Sequence, residues 1–307
     1  MHPVHEARLL PRTLAVITVL ALATLAQAAD PPPGSFAPRD TYAQPESLVD
    51  VDWLAAHLDD PNVRIVDARM PFERALYDAS HIPGAVFVDT LNALPIVPPE
   101  AFAAAVGALG IGNDTTVIVY ETGSGEWGAR LWWALRYHGH DDVRILNGGL
   151  RQWIMAGRPL SSEAPSVTPA VFEPDVQAHW WATADDVRAA IDDPDVVLVD
   201  VLHPPSYTGD MNYYGRPGHI PTALSLPTTD MSHNVLLTIL PPPALSRMLQ
   251  RAGLDPSKRH VTYCGGGFAG AYGAFVLHLM GFDDVALYPG SLMEWVADPS
   301  NPMATVP

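Results

Sequence analysis

Cysteine is nearly absent: Cys264 is the single one in 307 residues. No internal disulfide can staple the chain, so this thiol is a buried inert residue, an intermolecular bridge or a reactive group. Basic residues are also scarce, with 17 Lys and Arg against 34 Asp and Glu and a formal charge of −17. A field of that sign repels polyanions and anionic lipid surfaces, which argues against nucleic acid as a partner. It gives an anionic small molecule no help either, so a site for one must be built from local donors. Beyond residue 30 no apolar run approaches the roughly 20 residues a spanning helix needs, so no stable membrane association is expected once a leader is removed. The leader itself is legible. Arg8 and Arg12 precede an apolar run from Leu14 to Leu25 and a small-residue site at Ala26-Gln27-Ala28, the pattern of a signal peptide over residues 1–28. Export to a bacterial periplasm is the expectation.

With 48% hydrophobic and 17% charged residues, the chain is globular and long enough for two ordinary domains. An internal repeat says which two. Asp59-Asp60-Pro61 and Asp67 answer to Asp192-Asp193-Pro194 and Asp200, and His81-Ile82-Pro83 answers to His219-Ile220-Pro221. Residues 116–125 then pair with 260–267, and 138–153 with 280–295. The domains expected are 46–158 and 179–307, joined by a linker over 159–178 rich in proline, serine and small residues.

Each half has the same order: an amphipathic helix, a β-branched strand ending in Asp (NVRIVDA, DVVLVDV), and a loop closing on His-Ile-Pro. A further helix, a second strand (TTVIVY, HVTY), a glycine-bearing loop, a helix and a short strand follow. Strands alternating with helices predict an α/β fold, each half a parallel sheet flanked by helices. Ligands in such sheets gather at the carboxyl ends of the strands, and Cys264 stands at that end of its strand.

Gly265, Gly266 and Gly267 let the backbone turn tightly with its N–H groups converging, and the helix predicted from Phe268 onward points its positive end at the same place. A thiol held there is stabilised as thiolate and becomes a nucleophile near neutral pH. The cradle would equally hold a negatively charged second sulfur. A buried, inert cysteine needs no such surroundings.

With these residues the chain resembles the tandem-domain rhodanese family, the thiosulfate or mercaptopyruvate sulfurtransferases, over nearly all of residues 46–307. The resemblance rests on the paired Asp-bearing strands, the two His-Ile-Pro turns, Asn147-Gly148-Gly149 with Trp153, and Tyr263-Cys264 with its glycine loop. It implies that the second domain carries the catalytic cysteine and that the first is a degenerate copy. Glu121 stands at the position matching Cys264, and a carboxylate cannot accept sulfur in this chemistry. It implies also that Cys264 takes a sulfur atom from a small anionic donor as a persulfide and passes it to cyanide or a thiol. The amides of Gly265, Gly266, Gly267, Phe268 and Ala269 would hold the charge, and no metal or organic cofactor is needed.

The donor is less legible. Thiosulfate-type members carry cationic side chains in the loop, and this loop has none. Mercaptopyruvate-type members read Cys-Gly-Ser-Gly, and here Gly266 stands in place of the serine. The arginine expected two residues after the second-half aspartate is Leu202, whereas the first half keeps Arg69. Arg216 is the candidate replacement cation, and His81 is a candidate for reaching the cleft between the domains. Asp67 and Asp200 are expected to bind loop backbone, His138 and His140 to lie on the surface, and Trp132-Trp133 and Trp180-Trp181 to pack core and domain contacts. Two other functions remain open: a persulfide carrier without turnover, and a phosphatase or arsenate-handling enzyme, which the short, uncharged loop argues against.

Overall fold

Two parallel sheets organise the chain. In the computed structural model, which describes residue 36 and residues 38–89 and 98–306, the first half opens with β1 (Leu48–Val49), α1 (Val51–Ala56), β2 (Val63–Asp67), α2 (Arg74–Ala79) and β3 (Val86–Phe87). It continues with α3 (Pro99–Ala108), β4 (Thr116–Tyr120), α4 (Glu126–Tyr137), β5 (Val143–Leu146) and α5 (Gly149–Met155). The second half repeats the series as α6 (Ala184–Ala190), β6 (Val196–Asp200), α7 (Pro204–Thr208), β7 (Leu224–Ser225) and α8 (Pro242–Arg251). β8 (Arg259–Tyr263), α9 (Phe268–Leu279), β9 (Val285–Leu287) and α10 (Ser291–Trp295) complete it. The proposed signal segment, residues 1–28, lies outside the described residues.

The strand order is β1-β5-β4-β2-β3 in one sheet and β7-β6-β8-β9 in the other, every pair parallel. The registers match as the repeat requires: Asp67 lies beside Tyr120, and Asp200 beside Tyr263. In the second half β1 has shrunk to a bridge between Trp181 and Leu287. Runs such as Val117–Tyr120 and Leu198–Asp200 are buried throughout. Both faces of such a sheet are covered by helices, and for that reason these strands lack hydrophobic alternation.

The repeat extends to individual hydrogen bonds. Tyr120 Oη accepts the Ile82 N–H at 3.1 Å and Tyr263 Oη accepts the Ile220 N–H at 3.0 Å. Trp153 donates to the Pro159 carbonyl and Trp295 to the Pro302 carbonyl. Asp67 and Asp200 each accept the N–H two residues on, from Arg69 and Leu202.

The halves meet along α4 and α9. Trp132 stands edge-on to Phe275 with centroids 5.0 Å apart, and Trp133 Nε1 donates to the Trp180 carbonyl at 2.8 Å. From Ala269 to Leu277 every residue of α9 is buried, as expected of a helix that is apolar on all sides. The linker is pinned rather than loose: Ala170 N–H donates to the Gly107 carbonyl and Gln177 N–H to that of Tyr137. His138 and His140 correct the surface expectation, being 5% and 1% exposed. His138 stacks on Phe102 at 3.8 Å, and the linker's Phe172 covers His140. Burial lowers the pKa of both imidazoles, which keeps them neutral and lets them serve as core residues.

Candidate active site at Cys264

β8 ends at Tyr263 and delivers Cys264 to the edge of a cavity of about 290 Å³. Gly265, Gly266, Phe268 and Ala269 line it from the loop and the first turn of α9, and Val201, Leu202, His203, Tyr214, Thr228 and Thr229 from the rest of the second half. The first half contributes Glu126.

The loop turns as its glycines predict. Gly267 has φ +86° and caps α9, and its N–H donates to Cys264 Sγ at 3.1 Å. At Gly265 a Cβ would collide with the Tyr214 ring, so glycine there is a condition for the tyrosine to close over the loop. Gly266 has more room, with Met293 Sδ at 3.4 Å the nearest atom to a Cβ. α10 straps the loop from behind, Leu292 N–H donating to the Cys264 carbonyl and Met293 N–H to that of Gly265. Ser291 Oγ accepts the Cys264 N–H at 3.1 Å and donates to the Tyr288 carbonyl at 2.9 Å, and it lies 4.0 Å from Sγ.

The matching loop of the first half shows what this architecture binds. Glu121 turns its own carboxylate into the turn, where Oε1 accepts the N–H groups of Gly123 at 3.0 Å and Gly125 at 2.5 Å. Burial pushes its carboxyl up to about 7, while those two N–H bonds pull the other way. The first loop is therefore an anion nest filled by its own side chain. The second presents a thiol in the same place, with a cavity in front of it.

A cation stands behind the second nest. Arg130, on α4 and 3% exposed, donates from Nη1 to the Gly267 carbonyl at 3.3 Å and lies over the rings of Trp133 and Phe268 at 4.7 and 5.5 Å. Burial pushes its guanidinium down to about 10, and negative charge on Cys264 opposes that fall. The cavity wall is different in character: Tyr214 has its phenol pKa raised by burial and by the charge on Cys264, and burial also raises the carboxyl of Glu126, against a bond from the Thr228 hydroxyl. No lysine or arginine is among the described residues lining the cavity.

Two expected residues lie elsewhere. Arg216 donates from Nη1 to the Asn301 carbonyl at 2.7 Å and to that of Asp298 at 3.4 Å, which ties its guanidinium to the C-terminal segment and away from the cavity lining. His81 is 1% exposed, stacks on Tyr77 and contacts the carbonyls of Tyr77 and Glu163. His219 makes the same contacts with Tyr207 in its own half. Both imidazoles brace the turn before proline, which corrects the cleft expectation for His81. Arg69 has a local role as well: it pairs with buried Asp67 at 2.6 Å. With Leu202 at the matching position, Asp200 has no such partner, and burial pushes its carboxyl up to about 6.

Sequence reasoning missed Ser291, Arg130, Glu126 and Tyr214. Ser291 could have been found, because the repeat sets it opposite Gly149. Arg130 left a fainter signal, a charge inside the apolar run ARLWWAL.

The chain matches the rhodanese-like domain family over residues 50–156 and 183–298. It is 36% identical over 273 residues to the sulfur carrier protein TtuD of Thermus thermophilus, covering 83% of this chain and 95% of that protein. It is 32% identical over 300 residues to the mitochondrial thiosulfate/3-mercaptopyruvate sulfurtransferase 1 of Arabidopsis thaliana, covering 85% of this chain and 79% of that one. Among solved structures it is similar to the anaerobic ergothioneine biosynthesis enzyme from Chlorobium limicola in complex with its natural substrate trimethyl histidine. That match has a TM-score of 0.79 and 27% identity, covering 88% of this chain and 73% of the other.

Proposed function

The chain belongs to the rhodanese family and is a sulfurtransferase, and from this premise we propose that Cys264 is the nucleophile that carries the sulfur, as a persulfide. The thiolate attacks the outer sulfur of thiosulfate or the sulfur of mercaptopyruvate. The S–S or C–S bond of the donor breaks, its electron pair leaves with sulfite or with the pyruvate enolate, which takes up a proton, and Cys264–S–S⁻ remains. Cyanide or a thiolate then attacks the terminal sulfur, the S–S bond breaks, and Cys264 returns as thiolate. Neither step needs an outside oxidant or reductant.

One observation carries this reading: the equivalent loop of the first half holds a carboxylate oxygen on two backbone N–H groups. A turn of that design, opened to a cavity and given a thiol, stabilises a thiolate and then the terminal sulfur of a persulfide. Gly267 N–H, already 3.1 Å from Sγ, is the first of its donors. Arg130 contributes from behind as a buried positive charge.

Intact mass of the protein after incubation with thiosulfate, and separately with mercaptopyruvate, tests it. One added sulfur atom, removed by cyanide and absent in Cys264→Ser, is the expected result. No gain with either donor would leave a protein loaded by some other route.

A second reading has a specific observation behind it. The described cavity lining lacks a cation for an anionic donor, and one relative is named a sulfur carrier protein. A carrier would accept one sulfur from a partner and show negligible turnover with small donors, so steady-state rates separate it from an enzyme. The leader at residues 1–28 supports action outside the cytoplasm. Cell fractionation with N-terminal sequencing of the recovered protein tests that placement.

A further inference from the structure

A second lobe of about 200 Å³ shares Glu126, Thr228 and Thr229 with the cavity at Cys264 and is lined otherwise by Ser124, Ser232, His233, Asn234 and Leu237. The two lobes share one carboxylate, Glu126, and no lysine or arginine is found among the described residues lining either of them. Glu126 is half-buried and accepts a long bond of 3.5 Å from the Thr228 hydroxyl. A half-buried carboxylate so weakly satisfied is stabilised by a cation that enters with a ligand.

The charge balance points the same way. A persulfide on Cys264 adds a second negative charge to a cavity that already contains Glu126, and Arg130 answers the charge on Cys264 from behind the loop rather than from the cavity. A ligand that brings a positive charge between them relieves both, whereas an anionic one adds to the repulsion. The second lobe gives room for a molecule larger than cyanide and offers it the hydroxyls of Thr228, Thr229 and Ser232 and the amide of Asn234 on a largely apolar wall.

Building on the persulfide reading above, we propose that the sulfur acceptor is a small thiol bearing an ammonium group, bound across the two lobes with Glu126 as its counter-ion. Its thiolate attacks the terminal sulfur, the Cys264 S–S bond breaks, and the acceptor leaves as its own persulfide while Cys264 regains the electron pair.

The test starts from protein whose Cys264 persulfide has been formed with inorganic polysulfide, so it does not depend on which donor serves the enzyme. Discharge by cysteamine, 2-mercaptoethanol and 3-mercaptopropionate is followed by intact mass, with each rate corrected for thiolate fraction. Wild type is expected to favour the ammonium thiol over the neutral one and the neutral one over the carboxylate. Glu126→Gln lowers the cysteamine to mercaptoethanol ratio by about tenfold, the scale of one charge-assisted contact, and Glu126→Asp keeps most of the preference. Thermal melts check that both variants fold. Equal discharge of ammonium and neutral thiols by wild type, or a ratio that survives in Glu126→Gln, overturns the proposal. Failure of polysulfide to place a sulfur on Cys264 overturns the persulfide reading itself, and this one with it.

Discussion

Ser291 occupies in the second half the backbone position that Gly149 occupies in the first. Both are left-handed, with φ of 51° and 54°, and each is followed by a leucine whose N–H binds the loop residue at the nucleophile position, Glu121 or Cys264. Glycine adopts that conformation without strain, whereas serine in it costs about 1 kcal/mol. The second half retains the costlier residue, and its hydroxyl is what accepts the Cys264 N–H.

Two substitutions separate strain from bonding. Ser291→Gly relieves the backbone but orphans the Cys264 N–H, at a cost of about 1–3 kcal/mol. Ser291→Ala orphans it and keeps the strain, so urea unfolding should find it less stable than Ser291→Gly by about 1 kcal/mol. Both should load sulfur from thiosulfate about tenfold more slowly than wild type, because the loop that presents the thiol is no longer anchored. An alanine variant more stable than the glycine one would refute the strain argument.

Arg130→Gln removes the buried charge behind the loop. Persulfide loading of Cys264 from thiosulfate should slow by about tenfold, and Arg130→Lys should restore part of the difference. A structural role alone would lower the melting temperature without changing that rate.

Glu121 makes stability depend on pH. Its folded carboxyl is raised to about 7, above the unfolded value, so the folded state binds the proton more tightly. The resulting stability is fully present below the ordinary carboxylate range and is lost as pH rises through 7. Glu121→Gln should therefore melt near wild type at pH 4 and above it at pH 8, by an amount equivalent to roughly 3 kcal/mol. Asp200, raised to about 6, adds a loss of the same sign that Glu121→Gln leaves in place. Parallel melting curves for the two proteins across that range would rule the account out.

The loop glycines should differ in tolerance. Gly266→Ser meets only Met293 Sδ at 3.4 Å, so the variant should fold with a melting temperature close to wild type. It restores the loop reading of mercaptopyruvate-type members, so its kcat/KM for mercaptopyruvate relative to thiosulfate should rise. Gly265→Ala must displace the Tyr214 ring and should lose activity with both donors. Equal behaviour of the two variants would mean that Tyr214 does not set the shape of the cavity.

Much of this was legible in the chain itself. The repeat, the alternation of strands and helices, and the placing of Cys264 at the end of β8 all follow from residues close together in sequence, where turn chemistry and apolar runs act locally. The misplaced residues have a common cause. His81 and Arg216 looked available because each is a polar group in a loop, but their partners are the backbone carbonyls of Glu163 and Asn301, 82 and 85 positions away. His138 and His140 read as surface until Phe102 was stacked on the one and the linker's Phe172 was laid over the other. Polarity alone does not say whether a distant carbonyl will come within hydrogen-bond reach.

The sequence by itself determined the two halves, the α/β class, the lone thiol and the glycine turn that holds it, because each is encoded in spacing and in local backbone preference. Only the tertiary structure decided that Arg130 backs the loop at Gly267 from 137 residues away, that Ser291 anchors Cys264, and that Glu126 of the first half faces the cavity of the second. Those three depend on the packing of α4 against α9 and of α10 behind the loop. Such contacts form when side chains far apart in the chain are buried together, and no local pattern records which of them will meet.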